Sequence, residues 1–350
     1  MRAAAIAVGL VLAGGAAFAA DEAVVFMYHR FGEDRHPSTS VRVEQFDAHL
    51  EYLEDAGYTV VPLGDVVAAI RGQTELPERA VAITVDDAYL SVYEVAYPRL
   101  KARGYPFTVF VATDPVDGGL RAYMTWSQMR AMEEGGATFA NHGSSHRSYV
   151  EWPGVVSEID RLARVRADIE HAERRLAEEL QSLPGVFAYP YGEYDTSVAE
   201  LVTNLGYVAF GQQSGAVGKT GDLRALPRFP MAEVYANIED FAVKVATRPL
   251  PVAAVQPWDP VTASVRPGIE VTLAETDADL ERLACFVGGQ GGVVVEWIEP
   301  GRRFSVAPKK DLQPGRNRVN CTAPTAAGGA FHWYSHPWIV RQGLQQVRHD

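Results

Sequence analysis

Short apolar runs alternate with amphipathic stretches over the first two thirds of the chain. Because these runs are rich in β-branched and aromatic residues, seven of them are predicted as strands. They are AVVFMYH (23–29), TVVPL (59–63), AVAITVDD (80–87), FTVFVA (107–112), ATFANH (137–142), GVFAYPYG (185–192) and YVAFGQQ (207–213). Residues 43–57 and 91–104 have helical spacing and end with glycine. This alternation predicts an α/β fold with a parallel sheet, and the number of repeats suits a barrel.

The longest predicted helix lies within residues 156–181. Its apolar positions recur with a helical period and are expected to face the core. They are Ile159, Leu162, Val165, Ile169, Leu176 and Leu180. The charged residues between them are expected to form a solvated outer face, together with His171.

The pattern changes at residues 248–260, where RPLPVAAVQPWDP brings four prolines together. Prolines at this density interrupt regular structure, so the segment is predicted to be a linker. Beyond it, short strands with turn signals follow one another without helices. This pattern predicts an all-β sandwich over residues 261–350.

The first residues of the chain have the pattern of a secretory signal peptide. Arg2 precedes an apolar stretch that ends in the small-residue sequence Ala17-Phe18-Ala19. A retained membrane anchor is the alternative, but the stretch is short and rich in Ala and Gly. No later window is apolar enough to span a bilayer, so the mature chain is expected to be exported, to the periplasm or beyond. The predicted order is a signal peptide at 1–19, an α/β domain at 20–247, the linker at 248–260 and the sandwich at 261–350.

The charge and the cysteines narrow the choice of partners and compartment. The formal net charge is −12 at pH 7. Nucleic acid and anionic lipid both require a basic surface, so neither is expected as a partner. Cys285 and Cys321 both lie in the predicted sandwich. In an exported protein they are expected to form one disulfide, worth about 3–4 kcal/mol by loop entropy, with two buried free thiols as the alternative.

Two polar segments that follow predicted strands carry the candidate chemistry. ITVDDAYL (83–90) places Asp86 and Asp87 side by side after an apolar run. Neighbouring side chains of a strand point to opposite faces, and a strand end whose Asp87 caps the next helix is one interpretation. NHGSSHRS (141–148) places His142 and His146 four residues apart, a spacing that can direct both imidazoles to one metal ion. A polar loop without a metal is the alternative.

Two histidines and one carboxylate at the ends of parallel strands would form an open metal site with room for water and substrate. Asp87, His142 and His146 are the predicted ligands, and Asp86 would act as the proton acceptor. A further segment, FAYPYG (187–192), predicts a tight turn that could direct a backbone N–H at a developing oxyanion.

Together and in this order, the three segments resemble the motifs of the polysaccharide deacetylase family, also called the NodB-homology domain or carbohydrate esterase family 4. Asp86-Asp87 match the paired aspartates of the first motif. His142 and His146 match the histidines of the second, and Pro190-Tyr191-Gly192 match the end of the third. The resemblance covers roughly residues 24–229, and it implies a distorted (β/α) barrel of the polysaccharide deacetylase type.

Three positions depart from the family pattern. Ala88 stands where the family has glycine, Gly143 where it has Ser or Thr, and Ala188 where it has an arginine that orients the base aspartate. The late family motif, a strand ending in L-x-H, has its counterpart near the front of this chain in VVFMYHRF, with His29 at the strand end. This order resembles the circularly permuted branch that includes poly-N-acetylglucosamine deacetylases. Arg228 is the candidate to replace the missing arginine, while a histidine that merely packs at a strand end is the alternative for His29.

The resemblance implies an exported, metal-dependent hydrolase that removes acetyl groups from poly-N-acetylglucosamine, chitin-like or peptidoglycan glycans. The metal would be Zn²⁺, and Co²⁺ or Ni²⁺ also suit the ligand set. Asp86 would be the general base, the Tyr191 N–H an oxyanion donor and His29 the proton donor to the departing amine. Two alternatives are a catalytically impaired carbohydrate-binding protein on the same fold and an amide hydrolase acting on a non-sugar substrate.

Overall fold

The computed structural model describes residues 20–151, 154, 157–181 and 184–341. The predicted signal peptide lies outside the described residues. Within these ranges, no helix is both long enough and apolar enough to cross a membrane.

The described elements are numbered in chain order. The strands are β1 Val24–Tyr28, β2 Arg30–Phe31, β3 Ser40–Val41, β4 Thr59–Val60, β5 Ala80–Asp86, β6 Phe107–Val111, β7 Ala137–Asn141, β8 Val186–Ala188, β9 Val208–Phe210, β10 Phe229–Pro230, β11 Arg248–Pro249, β12 Val252–Gln256, β13 Val261–Thr262, β14 Ile269–Leu273, β15 Ala284–Val287, β16 Gly291–Val293, β17 Val295–Glu299, β18 Arg303–Val306, β19 Gly315–Pro324 and β20 Phe331–Val340. The helices are α1 Val43–Asp55, α2 Leu63–Ile70, α3 Tyr97–Arg103, α4 Thr113–Asp117, α5 Trp126–Glu133, α6 Glu158–Glu179, α7 Thr196–Asn204 and α8 Ile238–Val245. A π-helical segment at Val92–Ala96 leads into α3, and 3₁₀ turns lie at Pro190–Gly192, Glu233–Ala236 and Leu280–Arg282.

The first part of the chain forms a curled parallel sheet in the order β10-β1-β5-β6-β7-β8-β9, with β4 pairing with the start of β5. All seven predicted strands are present, so this part of the prediction is confirmed. Residues 223–230 connect the two ends of the sheet. The N–H of Leu226 donates to the Ala209 carbonyl of β9, and Phe229 of β10 pairs with Phe26 of β1. The sheet therefore closes on itself through this segment, and the predicted distorted (β/α) barrel is confirmed.

Alternate residues of the strands face opposite sides of this sheet. On β5, Val81, Ile83 and Val85 belong to a cluster with the outer helices, whereas Ala80 and Ala82 belong to a second cluster. The second cluster draws residues from strands around the whole sheet, so it fills the barrel interior. Asp86 has the same parity as Ala80 and Ala82, and its side chain is fully buried.

Helix α6 packs along the barrel as predicted, with one exception. Val165, Ile169 and Leu176 are buried, and His171 is exposed. The prediction for Ile159 is wrong, because its side chain is 80% exposed. Ile159 precedes Val165 by six residues, which is about 240° around the helix from it, so it faces away from the core.

The last part of the chain forms two facing sheets, ordered β11-β20-β19-β15-β16 and β12-β14-β18-β17, with β13 beside β20. Their shared core confirms the predicted β-sandwich. The predicted disulfide is confirmed, since Cys285 and Cys321 are bonded and lie opposite each other on β15 and β19. The predicted linker at 248–260 contains β11 and β12, which pair with strands of these sheets. The domain boundaries stay a prediction.

Candidate active site and metal centre

The predicted site residues meet at one edge of the barrel. In a parallel sheet the carboxyl ends of all strands lie at the same edge, where functional side chains usually gather. His29 follows β1, the Asp86-Asp87 pair ends β5, His142 follows β7 and the Pro190–Gly192 turn follows β8. Because β1 lies between β5 and β10, the early strand brings His29 beside the aspartate pair.

The two neighbouring aspartates face different partners. Asp86 is the last residue of β5 and points into the barrel, whereas Asp87 has a left-handed backbone with φ of 76°. This turn ends the strand and directs the Asp87 carboxylate toward His142 and His146. The next helical segment begins at Val92, so Asp87 is not its cap.

Asp87, His142 and His146 form a compact group suited to a metal ion. Oδ1 of Asp87 lies 2.9 Å from Nε2 of His146 and 3.4 Å from Nε2 of His142. One ligand atom from each residue lies within 4.8 Å of the other two. Asp87 Oδ1 and His142 Nε2 are both buried, and neither has a hydrogen-bond partner among the described residues. Buried nitrogen and oxygen atoms that lie close together without hydrogen-bond partners are suited to bind a divalent cation.

A second contact fixes the orientation of His142. Its Nδ1 lies 2.7 Å from the carbonyl oxygen of Ala188. A carbonyl oxygen can only accept a hydrogen bond, so Nδ1 carries the proton and Nε2 of the neutral ring is left as the ligand atom. Ala188 stands where the family motif has arginine, and here it contributes through its backbone.

The loop between the two histidines is held by Asp168 of α6, which the sequence reasoning missed. The Asp168 carboxylate accepts hydrogen bonds from the Ser144 N–H, the Ser145 N–H and the Tyr149 hydroxyl. Gly143 has φ of +71°, and an added Cβ would lie 2.1 Å from the Tyr149 hydroxyl oxygen. A Ser or Thr side chain at position 143 would therefore clash with the Tyr149–Asp168 contact.

Arg228 meets Asp86 inside the barrel. Its guanidinium donates two hydrogen bonds to the carboxylate, with Nη1 2.7 Å from Oδ1 and Nη2 2.8 Å from Oδ2. Both side chains are fully buried. Nε of Arg228 also donates to the Gly211 carbonyl at 3.0 Å, and Nη1 donates to the Thr84 hydroxyl at 3.1 Å. The buried charge of Asp86 is thus balanced and its orientation fixed.

His29 and Tyr191 complete the group. Nε2 of His29 lies 4.0 Å from Oδ2 of Asp86. Tyr191 has a left-handed backbone with φ of 60°. Its ring lies edge-on to the His146 ring, with 4.6 Å between the two ring centroids. Nη1 of Arg316, on β19 of the sandwich, donates to the Tyr191 carbonyl at 2.8 Å. The sandwich therefore touches the active-site turn, a contact that the sequence reasoning missed.

Burial and neighbouring charges have opposite effects on the pKa values of Asp86, Asp87 and His29. Burial is the largest single influence and would raise the pKa of both aspartates. Arg228, His142 and His29 together outweigh burial at Asp86, and His142, His146 and His29 together outweigh it at Asp87. Both carboxyl pKa values are lowered, that of Asp87 well below its usual range. Burial lowers the pKa of His29, and the attraction of Asp87 and Asp86 offsets this only in part.

These residues lie together at the carboxyl edge of a curled parallel sheet. Residues 73–210 match the family described as polysaccharide deacetylase. The structure is similar to IcaB from Ammonifex degensii, with a TM-score of 0.56 and 26% identity over 65% of this chain and 98% of that one. It is also similar in fold to the deacetylase PplD of Streptococcus pyogenes, with a TM-score of 0.57 and 23% identity over 64% and 98% of the two chains. Residues 73–210 are therefore similar to the polysaccharide deacetylase family.

One curated relative is the poly-β-1,6-N-acetyl-D-glucosamine N-deacetylase of Escherichia coli K12. The two sequences are 26% identical over 242 residues, which covers 59% of this chain and 36% of that protein. The match thus spans about a third of that enzyme's length.

Proposed function

We propose that this chain is an exported, metal-dependent enzyme that removes N-acetyl groups from a polysaccharide or oligosaccharide. The proposal rests on the different partners of two neighbouring aspartates at the end of β5. Asp87 faces two histidines, and Asp86 is held by a buried arginine. The name of the E. coli relative supports a polymer of N-acetylglucosamine as the substrate. The signal-peptide pattern of residues 1–19 supports export.

Asp87, His142 and His146 would hold the metal ion. Catalytic Zn²⁺ sites can use two imidazole nitrogens and one carboxylate as ligands and leave a position open for water or substrate. Co²⁺ and Ni²⁺ also bind such ligands. When bound, the ion would supply Lewis acidity, which polarises a carbonyl group and makes water acidic enough to lose a proton near neutral pH.

The protein's own groups would move the protons. Asp86, ionised and aimed by Arg228, accepts a proton from the attacking water. The Tyr191 N–H stabilises the oxyanion that develops as the acetamide carbonyl is attacked. His29 gives a proton to the departing amine, and its lowered pKa makes its protonated form a stronger acid.

The competing hypothesis is a carbohydrate-binding protein that has the same fold and has lost catalysis. It was suggested by Ala188, which stands in place of the family's arginine. In this structure Arg228 occupies the position beside Asp86 from another part of the chain. The missing arginine therefore does not leave the proposed base unpaired, which favours an active enzyme.

The test measures acetate release before and after metal exchange. Purified protein is stripped with a chelator, reloaded with Zn²⁺ and incubated with β-1,6-linked N-acetylglucosamine oligomers, chitin oligomers, peptidoglycan and an acetyl-lysine peptide. We expect acetate from at least one glycan, none from the stripped protein and none from Asp86→Asn. Acetate from the peptide alone would favour the non-sugar amide hydrolase, and no acetate from any substrate would favour the binding protein.

A further inference from the structure

We propose that one end of the sandwich positions two active-site segments, the loop after β7 at residues 142–151 and the Tyr191 turn. This role rests on the proposed function, whereas the contacts themselves do not depend on it. They come from the longest strand pair of the sandwich, β19 and β20. Arg316 near the start of β19 pairs with Ile339 of the antiparallel strand β20, and Arg341 directly follows β20. The two arginines therefore lie at the same end of this pair.

The sandwich lies along the barrel in a defined direction. Near the start of β20, His332 pairs with Arg248 of β11, whose Nε lies 2.8 Å from a carboxylate oxygen of Glu22. Glu22 precedes β1, so this contact is at the amino edge of the barrel. The next residue, Trp333, lies edge-on to Phe229 of β10, with 5.3 Å between the ring centroids. Strand β20 therefore runs from the amino edge of the barrel toward the carboxyl edge, where the active site lies.

Arg341 binds the end of the loop after β7. Its guanidinium donates one hydrogen bond to the Val150 carbonyl and another, from Nε at 2.8 Å, to the Glu151 carboxylate. The side chain of Val150 is buried, so this part of the loop is packed against the protein. The backbone N–H of Arg341 donates to the Thr262 carbonyl of β13 at 2.9 Å, which fixes the arginine to the sandwich. One side chain thus joins the loop to the sandwich.

Arg316 reaches the same loop through Glu193. The hydroxyl of Ser148, which closely follows His146 in the chain, donates a hydrogen bond to the Glu193 carboxylate. The other oxygen of this carboxylate lies 3.7 Å from Nε of Arg316. Because Arg316 also donates to the Tyr191 carbonyl, the start of β19 is linked both to the Tyr191 turn and to the loop after β7.

His146 depends on this loop for its position. Nδ1 of His142 is fixed by a carbonyl oxygen, whereas Nδ1 of His146 has no hydrogen-bond partner within the ranges that the structure describes. The backbone of His146 is left-handed, with φ of 52°, a conformation that a non-glycine residue keeps only where its surroundings impose it. Asp168 holds the start of the loop at Ser144 and Ser145, and the two sandwich arginines hold its end. Without the arginines, the loop should move and the metal ligand with it.

The experiment measures loop mobility and metal affinity in full-length variants. Hydrogen exchange, followed by mass spectrometry on the metal-free protein, reports local opening of residues 142–151, and competition with a chelating dye measures Zn²⁺ affinity. We expect Arg341→Ala to speed exchange in this loop and to weaken Zn²⁺ binding by about 3–10-fold, at or below the low end of the effect of groups that orient metal ligands. Arg341→Lys should lose less, because an ammonium group can still donate to the Val150 carbonyl.

Arg248→Ala is the matched control, because it also removes an ion pair between sandwich and barrel, but at the amino edge. This variant should leave loop exchange and Zn²⁺ affinity unchanged. Unchanged exchange or unchanged affinity in Arg341→Ala would overturn the inference, and so would equal effects in Arg248→Ala. Acetate release by the unsubstituted chain is measured in parallel. A chain that releases no acetate but shows the expected changes in Arg341→Ala would contradict the proposed function alone, so the two failures give different results.

Discussion

The carboxylate of Asp86 and the guanidinium of Arg228 form a two-point contact that is fully buried in the barrel, with N–O distances of 2.7 and 2.8 Å. The two residues are 142 positions apart in the chain. Arg228 lies on the segment that closes the sheet, so barrel closure and orientation of the proposed base depend on the same residues. A lysine could supply the charge but not the planar two-point geometry.

We therefore expect Arg228→Lys to retain metal and to lose about 10²-fold in kcat, because a small displacement of a catalytic group is costly. Steady-state kinetics on a soluble oligomer, with metal content measured on the same sample, checks this. Arg224→Lys is the control, since Arg224 pairs with Asp222 away from Asp86. An unchanged kcat in Arg228→Lys would show that the two-point contact does not position the base.

Gly143 offers a test of the loop that carries the two histidines. In Gly143→Ala, the new Cβ would lie 2.1 Å from the Tyr149 hydroxyl oxygen and 2.7 Å from Oδ2 of Asp168. We expect metal affinity to fall by about 10–100-fold, the usual effect of disturbing groups that orient metal ligands. Competition with a chelating dye measures this affinity.

Gly136→Ala separates the clash at Gly143 from backbone strain. Gly136 also has a positive φ, +93°, but an added Cβ would meet nothing within 4 Å. This variant should lose some stability and keep its metal affinity. Equal losses of affinity in the two variants would rule out the Tyr149–Asp168 contact as the cause.

Arg316 tests whether the sandwich helps to shape the active site. Its hydrogen bond to the Tyr191 carbonyl, at 2.8 Å, is exposed, and hydrogen bonds in proteins contribute about 0.5–1.5 kcal/mol. We expect Arg316→Ala to lower kcat/KM by up to about tenfold and Arg316→Lys to lose less. Arg302→Ala, which removes an exposed arginine paired with Glu299, should change nothing; a loss equal to that of Arg316→Ala would point to a general effect of charge.

Two buried histidines predict acid sensitivity of the fold. His49 accepts a hydrogen bond from the Tyr28 hydroxyl and donates one to the Ala236 carbonyl, and burial lowers its pKa to about 4. Burial also lowers the pKa of His336 to about 4. The unfolded chain, with histidine pKa near 6.5, binds more protons than the folded one between about pH 4 and 6.5. The free energy of unfolding should therefore fall as the pH drops through this window, by up to about 1.4 kcal/mol per pH unit for each histidine.

Urea unfolding at several pH values between 7 and 4.5 measures this slope. His336→Phe should reduce it, while His171→Gln should not, because His171 is exposed on α6. A slope that is the same in all three proteins would exclude His336 as a source of the acid sensitivity.

The site residues at the strand ends were predictable from the sequence, because they directly follow the apolar runs that form the strands. Asp86, Asp87 and His142 each follow an apolar run, and apolar runs become parallel strands whose carboxyl ends meet. Arg228 was predicted as the replacement arginine only because the third motif lacks one. Its place in the barrel depends on how residues 223–230 close the sheet, which no local pattern records.

Contacts made between distant elements were not predictable. Asp168 has a weak signal, since it shares a helical face with Val165 and Ala172, where an acidic residue needs partners. Arg316 has none, because it is 125 residues from Tyr191 and lies among other exposed arginines of the sandwich. Ile159 was predicted to face the core and is exposed instead, since an apolar residue in the first turn of a helix can still face solvent.

The central claim is that Asp87 acts through the metal and Asp86 through proton transfer. The most direct test measures metal content and kcat together in Asp86→Asn and Asp87→Asn, with circular dichroism to check folding. We predict that Asp86→Asn keeps roughly one divalent ion per chain while kcat falls by about 10²–10⁴, and that Asp87→Asn loses metal and activity together. A folded Asp86→Asn protein that has lost its metal would contradict the claim, because both carboxylates would then be ligands.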